Sequence, residues 1–176
     1  MSLAESKPLA EVSVLDIVDE AGLNRSTYYL HYSDKESLVD EVLDGVLEIA
    51  TESCRLLKES AHPGRDRFDP SWQDSLFGLI DQRPGLFAQL LSDSGNSTFG
   101  ARLQQINEDT LISIWTKDDP APESTSIPTR IRARYAAAGI QGLIVQWLEG
   151  GKIESHDVIS DWVWRLAVTE HDLSKG

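Results

Sequence analysis

The chain of 176 residues has little cysteine, little positive charge and no long apolar run, and each shortage excludes something. Its single cysteine, Cys54, rules out an internal disulfide, which is typical of a protein from a reducing cytosol. Sixteen basic residues against 29 acidic ones give a formal charge of −13, which argues against general binding to polyanions. The longest apolar stretch, 136–148, contains two glutamines and is too short to span a bilayer. We therefore expect a cytoplasmic protein with no membrane segment.

The residue spacings that catalysis and metal binding require are also missing. No Gly-x-Ser-x-Gly turn and no glycine-rich phosphate loop occur, and the four histidines show no metal-ligand spacing. Cys54 follows an apolar helical pattern and has no base beside it in sequence, so it is expected to be an inert packing residue. We predict that the chain is not an enzyme and that it needs no metal ion and no cofactor.

Helical spacing of apolar residues runs along most of the chain, and no strand pattern competes with it. Beyond residue 32 it predicts helices over about 33–59, 71–81, 84–91, 98–115, 129–148 and 155–169. A hydrophobic content of 40% and a charged content of 26% are typical of a folded globular protein. The sequence therefore predicts an all-α fold.

Residues 13–35 predict two short helices joined by a tight turn. Ser13 is a good N-cap residue, and apolar residues follow it at helical spacing. Gly22 can adopt a positive φ, which ends the first helix, and Leu23 is expected to hold the turn against a core. Asn24 is a plausible N-cap for the second helix, which is expected to run through Tyr32. This is the arrangement of a helix-turn-helix motif.

The second helix of the motif has a polar beginning. Tyr28 and Tyr32 are four residues apart and can both face inward. The polar and aromatic residues around them then point outward or sideways: Arg25, Ser26, Thr27, Tyr29 and His31. Ser33 and Glu36 match the capping-box pattern, which predicts that a long helix begins directly afterwards.

Residues 13–38 resemble the DNA-binding domain of tetracycline-repressor (TetR/AcrR-type) transcriptional regulators. The resemblance lies in the run Ala21–Thr27 together with Tyr29, His31, Tyr32, Asp34 and Lys35. It implies a helix-turn-helix domain at 1–47, with the family's first helix largely missing. It also implies that a long shared helix leads into a helical effector-binding and dimerisation domain at 48–176.

The resemblance implies roles in DNA binding for seven residues. Arg25, Ser26 and Thr27, at the start of the recognition helix, would meet base edges and nearby phosphates. Four further residues would contact phosphates and fix the register of the protein on the duplex: Ser13, Tyr29, His31 and Lys35.

The last two predicted helices carry the features expected of a dimer interface. Helical glycines lower stability unless another backbone comes close, and two of them lie in the helix at 129–148. Two such helices from each of two chains would form an intermolecular four-helix bundle, as the family does. The residues expected at this interface are Gly139, Gly142, Leu143, Trp147, Val158, Trp162 and Leu166. The alternative is that these faces only close the core of the monomer.

The family encloses a small-molecule site among its C-terminal helices. The candidate lining residues here are Trp72, Phe77, Phe87, Leu90, Ile106, Trp115 and Tyr135. An aromatic stripe at helical spacing is more often plain core, so that interpretation stays open.

These expectations combine into one function. The chain is expected to act as a DNA-binding transcriptional regulator, specifically a repressor. Its homodimer would read a palindromic operator in double-stranded DNA and would be released by an unknown small-molecule effector. The alternative is a helical ligand-binding and dimerisation protein with an incomplete or inactive head, because three basic and seven acidic residues give positions 1–37 a net charge of −4.

Overall fold

A computed structural model describes residues 3, 7–60, 70–92, 97–116 and 127–169, without the side chains of 60, 70–75, 97, 168 and 169. All regular elements in this part of the chain are helical, which confirms the predicted all-α class. The helices are α1 (Val14–Ala21), α2 (Arg25–His31), α3 (Lys35–Ser60), α4 (Pro70–Gln82), α5 (Pro84–Leu91), α6 (Ser97–Thr116), α7 (Thr129–Glu149) and α8 (His156–Trp164). A 3₁₀ turn (Leu9–Glu11) precedes α1, and a π-helical segment (Arg165–Thr169) follows α8.

The small head is formed by α1, α2 and the beginning of α3. Ser13 caps α1 as predicted, because its side chain accepts a hydrogen bond from the Asp16 amide. Gly22 has a φ of 65°, and the amide of Leu23 donates to the carbonyl of Val18 at 2.8 Å, which closes the turn. The side chain of Leu23 is more than half exposed, however, so it does not hold the turn against a core.

The predicted cap of α3 is wrong by one residue. The carboxylate of Asp34 accepts a hydrogen bond from the Ser37 amide at 2.8 Å, so Asp34 and not Ser33 caps the helix. The hydroxyl of Ser33 donates to that same carboxylate at 2.9 Å. These bonds, the one from the Ser37 amide first, hold the pKa of Asp34 below its ordinary value.

Helix α3 belongs to both the head and the body. It continues without a break past residue 47, the expected domain boundary, and its residues Leu43, Val46 and Leu47 are already buried in the core of the body. That core also receives Phe77, Phe87, Leu103, Ile144 and Trp164 from α4 to α8. A displacement of the body against α3 therefore acts directly on the helix that carries the head.

The last helix departs from the predicted span of 155–169. It is α-helical only to Trp164, after which the backbone widens into the π-helical segment. The carbonyl of Ala167, within that segment, accepts a hydrogen bond from Nε1 of Trp115 at 3.1 Å. A partner on another helix thus satisfies a backbone carbonyl where the regular pattern changes.

Candidate functional site

The polar beginning of α2 is presented to solvent. We call Arg25, Ser26 and Thr27 the recognition tip; Arg25 and Ser26 are exposed and Thr27 is half-buried. Asn24 precedes the helix in an extended conformation but makes no side-chain capping bond. The first backbone amides of the helix therefore lack that local acceptor.

Tyr28 holds the recognition tip in place. Its side chain is only 4% exposed, and its hydroxyl donates to the carbonyl of Asp34 at 2.9 Å. The ring lies 5.4 Å from the ring of Tyr32. Tyr28 packs inward as predicted, whereas Tyr32 is only half-buried and its hydroxyl donates to the exposed carboxylate of Glu41. Burial raises the pKa of the Tyr28 phenol, which keeps the hydrogen-bond donor protonated. The bond ties α2 to the turn before α3.

Tyr29 and His31 both lie on the outside of α2. Tyr29 is about half exposed and His31 is exposed, so both can reach a surface that approaches α2. The guanidinium of Arg25 lies 6.0 Å from the centre of the Tyr29 ring, at the outer limit of a cation–π contact. Tyr29 thus lies beside Arg25 of the recognition tip, and His31 is exposed in the last turn of α2.

The amide and hydroxyl of Ser13, expected to hold a phosphate, already have an acceptor within the chain. Both donate to the carboxylate of Asp16, at 2.7 and 2.6 Å. Nζ of Lys7 lies 2.6 Å from the same carboxylate oxygen. The bond from Lys7 and then those from Ser13 lower the pKa of Asp16 far below its ordinary value. In this conformation the Asp16 carboxylate occupies the position in which we expected a DNA phosphate.

Lys35, also expected to contact a phosphate, connects α3 to the N-terminal 3₁₀ turn. Its ammonium donates to the carbonyls of Leu9 and Ala10, at 3.2 and 3.3 Å. The amide of Leu9 in turn donates to Oε1 of Gln89 on α5 at 2.6 Å. These bonds make a continuous connection from the body, through the 3₁₀ turn, to the first residue of α3. Sequence reasoning missed it because nothing local points from Gln89 to a residue 80 positions away.

Two family models match this chain and together cover most of it. Residues 1–42 match the model for bacterial regulatory proteins of the tetR family, and residues 71–167 match a model for the C-terminal region of transcriptional regulators. The second match alone spans more than half of the chain. The chain belongs to the tetR family.

The curated relatives point the same way over a shorter stretch. The HTH-type transcriptional regulators EthR of two Mycobacterium tuberculosis strains (CDC 1551 / Oshkosh and H37Rv) and of Mycobacterium bovis are each 36% identical over 59 residues. These matches cover 34% of this chain and 27% of each relative. The similar region therefore spans about a quarter of the length of those proteins.

In this tetR-family chain, a row of uncharged residues is exposed along α7 and α8. What we call the outer face consists of exposed residues at three- and four-residue intervals on α7, α8 and the π-helical segment: Ile131, Tyr135, Gly139, Gly142, Val158, Trp162 and Leu166. Tyr135 is 84% exposed and Leu166 60% exposed. A Cβ added at Gly139 or Gly142 would meet nothing within 4 Å, so no backbone described in this protomer explains either glycine.

Of the seven residues expected at the dimer interface, Trp147 lies elsewhere. It is 4% exposed, it belongs to the core of the body, and its Nε1 donates to the carbonyl of Glu154 at 2.9 Å. Leu143 is half-buried and packs against the same core, at the border of the outer face. Trp147 is five residues after Gly142 and therefore lies on a different side of α7, whereas Leu143 is four residues after Gly139 and lies next to it on the helix.

The residues expected to line one pocket are dispersed over four places, as far as their side chains are described. Phe87 and Leu90 are core residues, and the Phe87 ring lies 6.5 Å from that of Phe99. Ile106 lines an open groove between α3 and α6. Trp115 and Tyr135 line another open groove beside the outer face, and Trp72 lies outside the described side chains.

Phe77, the remaining residue of that set, lines a cavity inside the body. This interior cavity lies where α3, α4, α6, α7, α8 and the π-helical segment meet. Its described lining is Ser53, Cys54, Leu57, Leu76, Phe77, Asn107, Thr110, Leu111, Ile140, Ile144, Val163, Trp164 and Ala167. Burial raises the pKa of the Cys54 thiol, so that thiol stays protonated and unreactive at neutral pH.

Within the described ranges, acidic residues, histidines and cysteine form no group of three or more that could hold a metal ion. In the same part of the chain, no helix combines the length and apolar character needed to cross a membrane.

Proposed function

We propose that this chain is a repressor that binds a palindromic operator in double-stranded DNA as a homodimer. The single observation that carries the proposal is the exposed recognition tip, anchored from behind by buried Tyr28. A short polar helix end of this kind can enter the major groove, where Arg25 can pair with a guanine in bidentate fashion. Tyr29 and His31 would add contacts to phosphates, which position the head without reading sequence.

The outer face supports the homodimer. Family members typically dimerise, and here α7 and α8 expose an apolar strip with two glycines that no described part of the protomer covers. Packing these helices against their copies would make a four-helix bundle, and its two-fold axis would place the two heads symmetrically. We assign 1–47 to DNA binding and 48–176 to effector binding and dimerisation.

The phosphate contacts expected at Ser13 and Lys35 are less important to this proposal than those of α2. The donors of Ser13 can reach a phosphate only if the Asp16 carboxylate gives way. Lys35 has three ammonium hydrogens and uses two of them on Leu9 and Ala10, so one hydrogen remains for a phosphate.

Selection of bound fragments from a random DNA library at low, stated salt tests the proposal. We expect a palindromic consensus bound by two protomers. Arg25→Ala should weaken binding to it about five- to hundredfold and relax the preference at one position in each half-site. Arg102→Ala, which removes an exposed arginine of α6 paired with Asp44, is the matched control and should bind like the wild type.

One observation favours the alternative of a ligand-binding protein with an inactive head. The head has a net charge of −4 at positions 1–37, and two of its three cations are occupied by Asp16 and by the 3₁₀ turn. Neutralisation of phosphates by basic residues supplies much of the affinity for DNA, so a head with one unoccupied cation is expected to bind DNA weakly. A library selection that enriches no sequence at low salt would favour the alternative.

A further inference from the structure

The chemistry of the interior cavity indicates what kind of molecule it accepts. None of the lining residues that the structure describes carries a charge, and most are aliphatic or aromatic. An ionic group brought into such a place loses its hydration and finds no counter-charge there, which costs several kcal/mol. The lining therefore selects against ions and favours neutral, apolar molecules.

Both hydroxyl groups in the described lining already donate to carbonyls of their own helices. Ser53 donates to the carbonyl of Ile49 at 2.9 Å, and Thr110 donates to the carbonyl of Ile106 at 2.7 Å. The Asn107 side chain has spare capacity: its Oδ1 accepts from the Cys54 thiol at 3.8 Å, and its Nδ2 has no partner among the described residues. A donor at one place on an apolar wall suits a ligand with one accepting oxygen.

Because the cavity is small, a larger ligand can bind in it only if the surrounding helices move apart. Its volume of about 30 Å³ holds one or two water molecules, so a larger ligand must part the surrounding helices. Ser53, Cys54 and Leu57 form the α3 side of the wall, opposite Asn107 and Leu111 of α6. A ligand that separates α3 from α6 therefore moves the helix that carries the head. The π-helical segment at Ala167 is a further part of the wall with irregular backbone.

We infer that the effector of this regulator is a neutral, mainly apolar small molecule with one hydrogen-bond-accepting group, held in the interior cavity with that group on Asn107. The inference rests on the proposed function, because it assigns the effector of that same repressor. The ligand shifts the population of heads away from the spacing that fits the operator, since it binds the expanded body better.

A matched series of six-carbon probes tests the charge preference with the full-length chain. Calorimetry should detect 1-hexanol, whereas hexanoate and hexylammonium should bind at least about a hundredfold more weakly. Hexanol should also release the selected operator. Equal affinity for a charged probe, or no binding of hexanol to a chain that still binds its operator, would overturn the inference. A chain that selects no operator but binds hexanol would instead contradict the proposed function.

Two variants locate the binding. Cys54→Met adds volume at the α3 wall and should abolish binding of hexanol and benzene alike, with the helical content unchanged. Asn107→Leu removes the donor and should weaken hexanol binding about two- to tenfold while leaving benzene binding unaffected. Thr116→Val is the matched control, because the Thr116 hydroxyl donates to the Ile112 carbonyl of its own helix and the residue does not line the cavity. Loss of benzene binding in Asn107→Leu, or hexanol binding retained in Cys54→Met, would place the ligand elsewhere.

Discussion

At the scale of single residues, side chains chosen for DNA contacts also have partners inside the protein. Ser13 and Lys35 are expected to donate to phosphates, and the acceptors that they use in the structure are Asp16 and the carbonyls of Leu9 and Ala10. A sequence displays the hydrogen-bonding capacity of a residue, whereas its partner is set by the fold. The recognition tip could be predicted because exposure there follows from the inward spacing of Tyr28 and Tyr32.

The cap of α1 gives the head a pH dependence that can be measured. The pKa of Asp16 is lower in the folded chain than its ordinary value of 3.8, so its stabilising effect is complete above about pH 4 and is lost as the pH falls below it. Asp16→Asn should therefore have a lower urea midpoint than the wild type at pH 7, and the gap should close toward pH 2. Hydrogen exchange of the α1 amides, followed against urea concentration, reports the unfolding of the head. A gap that is independent of pH would contradict this, and Asp19→Asn on the exposed side of α1 is the matched control.

At the scale of helices, caps and prolines predict boundaries well, and tertiary contacts explain the failures. Pro84 begins α5 and Gly22 ends α1 as predicted. Ser33 and Asp34 are both good caps, so the choice between them depends on which side chain reaches the Ser37 amide. The π-helical segment could not be predicted, because its stabilising bond comes from Trp115 on another helix. The residues expected to line one pocket are dispersed in the structure, because core residues and cavity-lining residues follow the same helical periodicity and a sequence pattern cannot separate them.

The bond between Gln89 and Leu9 is expected to link the body with the head. Gln89→Leu should speed hydrogen exchange of the Leu9 amide about two- to tenfold, because that amide loses its acceptor. The loosened 3₁₀ turn should also weaken operator binding. Gln105→Leu, which removes an exposed bond to Asp109 on α6, is the control and should change neither. Unchanged Leu9 exchange in Gln89→Leu would show that this link is not formed.

At the scale of the whole molecule, the outer face exposes apolar residues and two glycines that no contact within the described protomer accounts for. The interface prediction from glycine spacing placed six of its seven residues on or beside this face, and Trp147 failed because an indole can serve a monomer core equally well. In the proposed repressor, pairing of the outer faces would place the two heads for a palindromic operator.

Gly142→Leu separates the fold of the protomer from its association. Since a Cβ at this position meets nothing in the described protomer, the variant should keep its helical content, with a local gain in helix propensity of about 0.5–1 kcal/mol. Sedimentation velocity at micromolar concentration should nevertheless find monomers where the wild type forms dimers. Ser113→Leu on exposed α6 controls for added surface hydrophobicity and should stay dimeric. A dimeric Gly142→Leu variant would place the interface elsewhere.

The distance between the two recognition helices on DNA tests the account most directly. Leu30, at the end of α2, is 81% exposed and can carry a spin label as Leu30→Cys in a Cys54→Ser background. On the selected operator, pulsed dipolar spectroscopy should give one distance within about 10 Å of the half-site spacing of about 34–36 Å. Absence of dipolar coupling on the operator, or a mean distance below about 20 Å, would contradict a dimer that places one α2 helix in each of two half-sites.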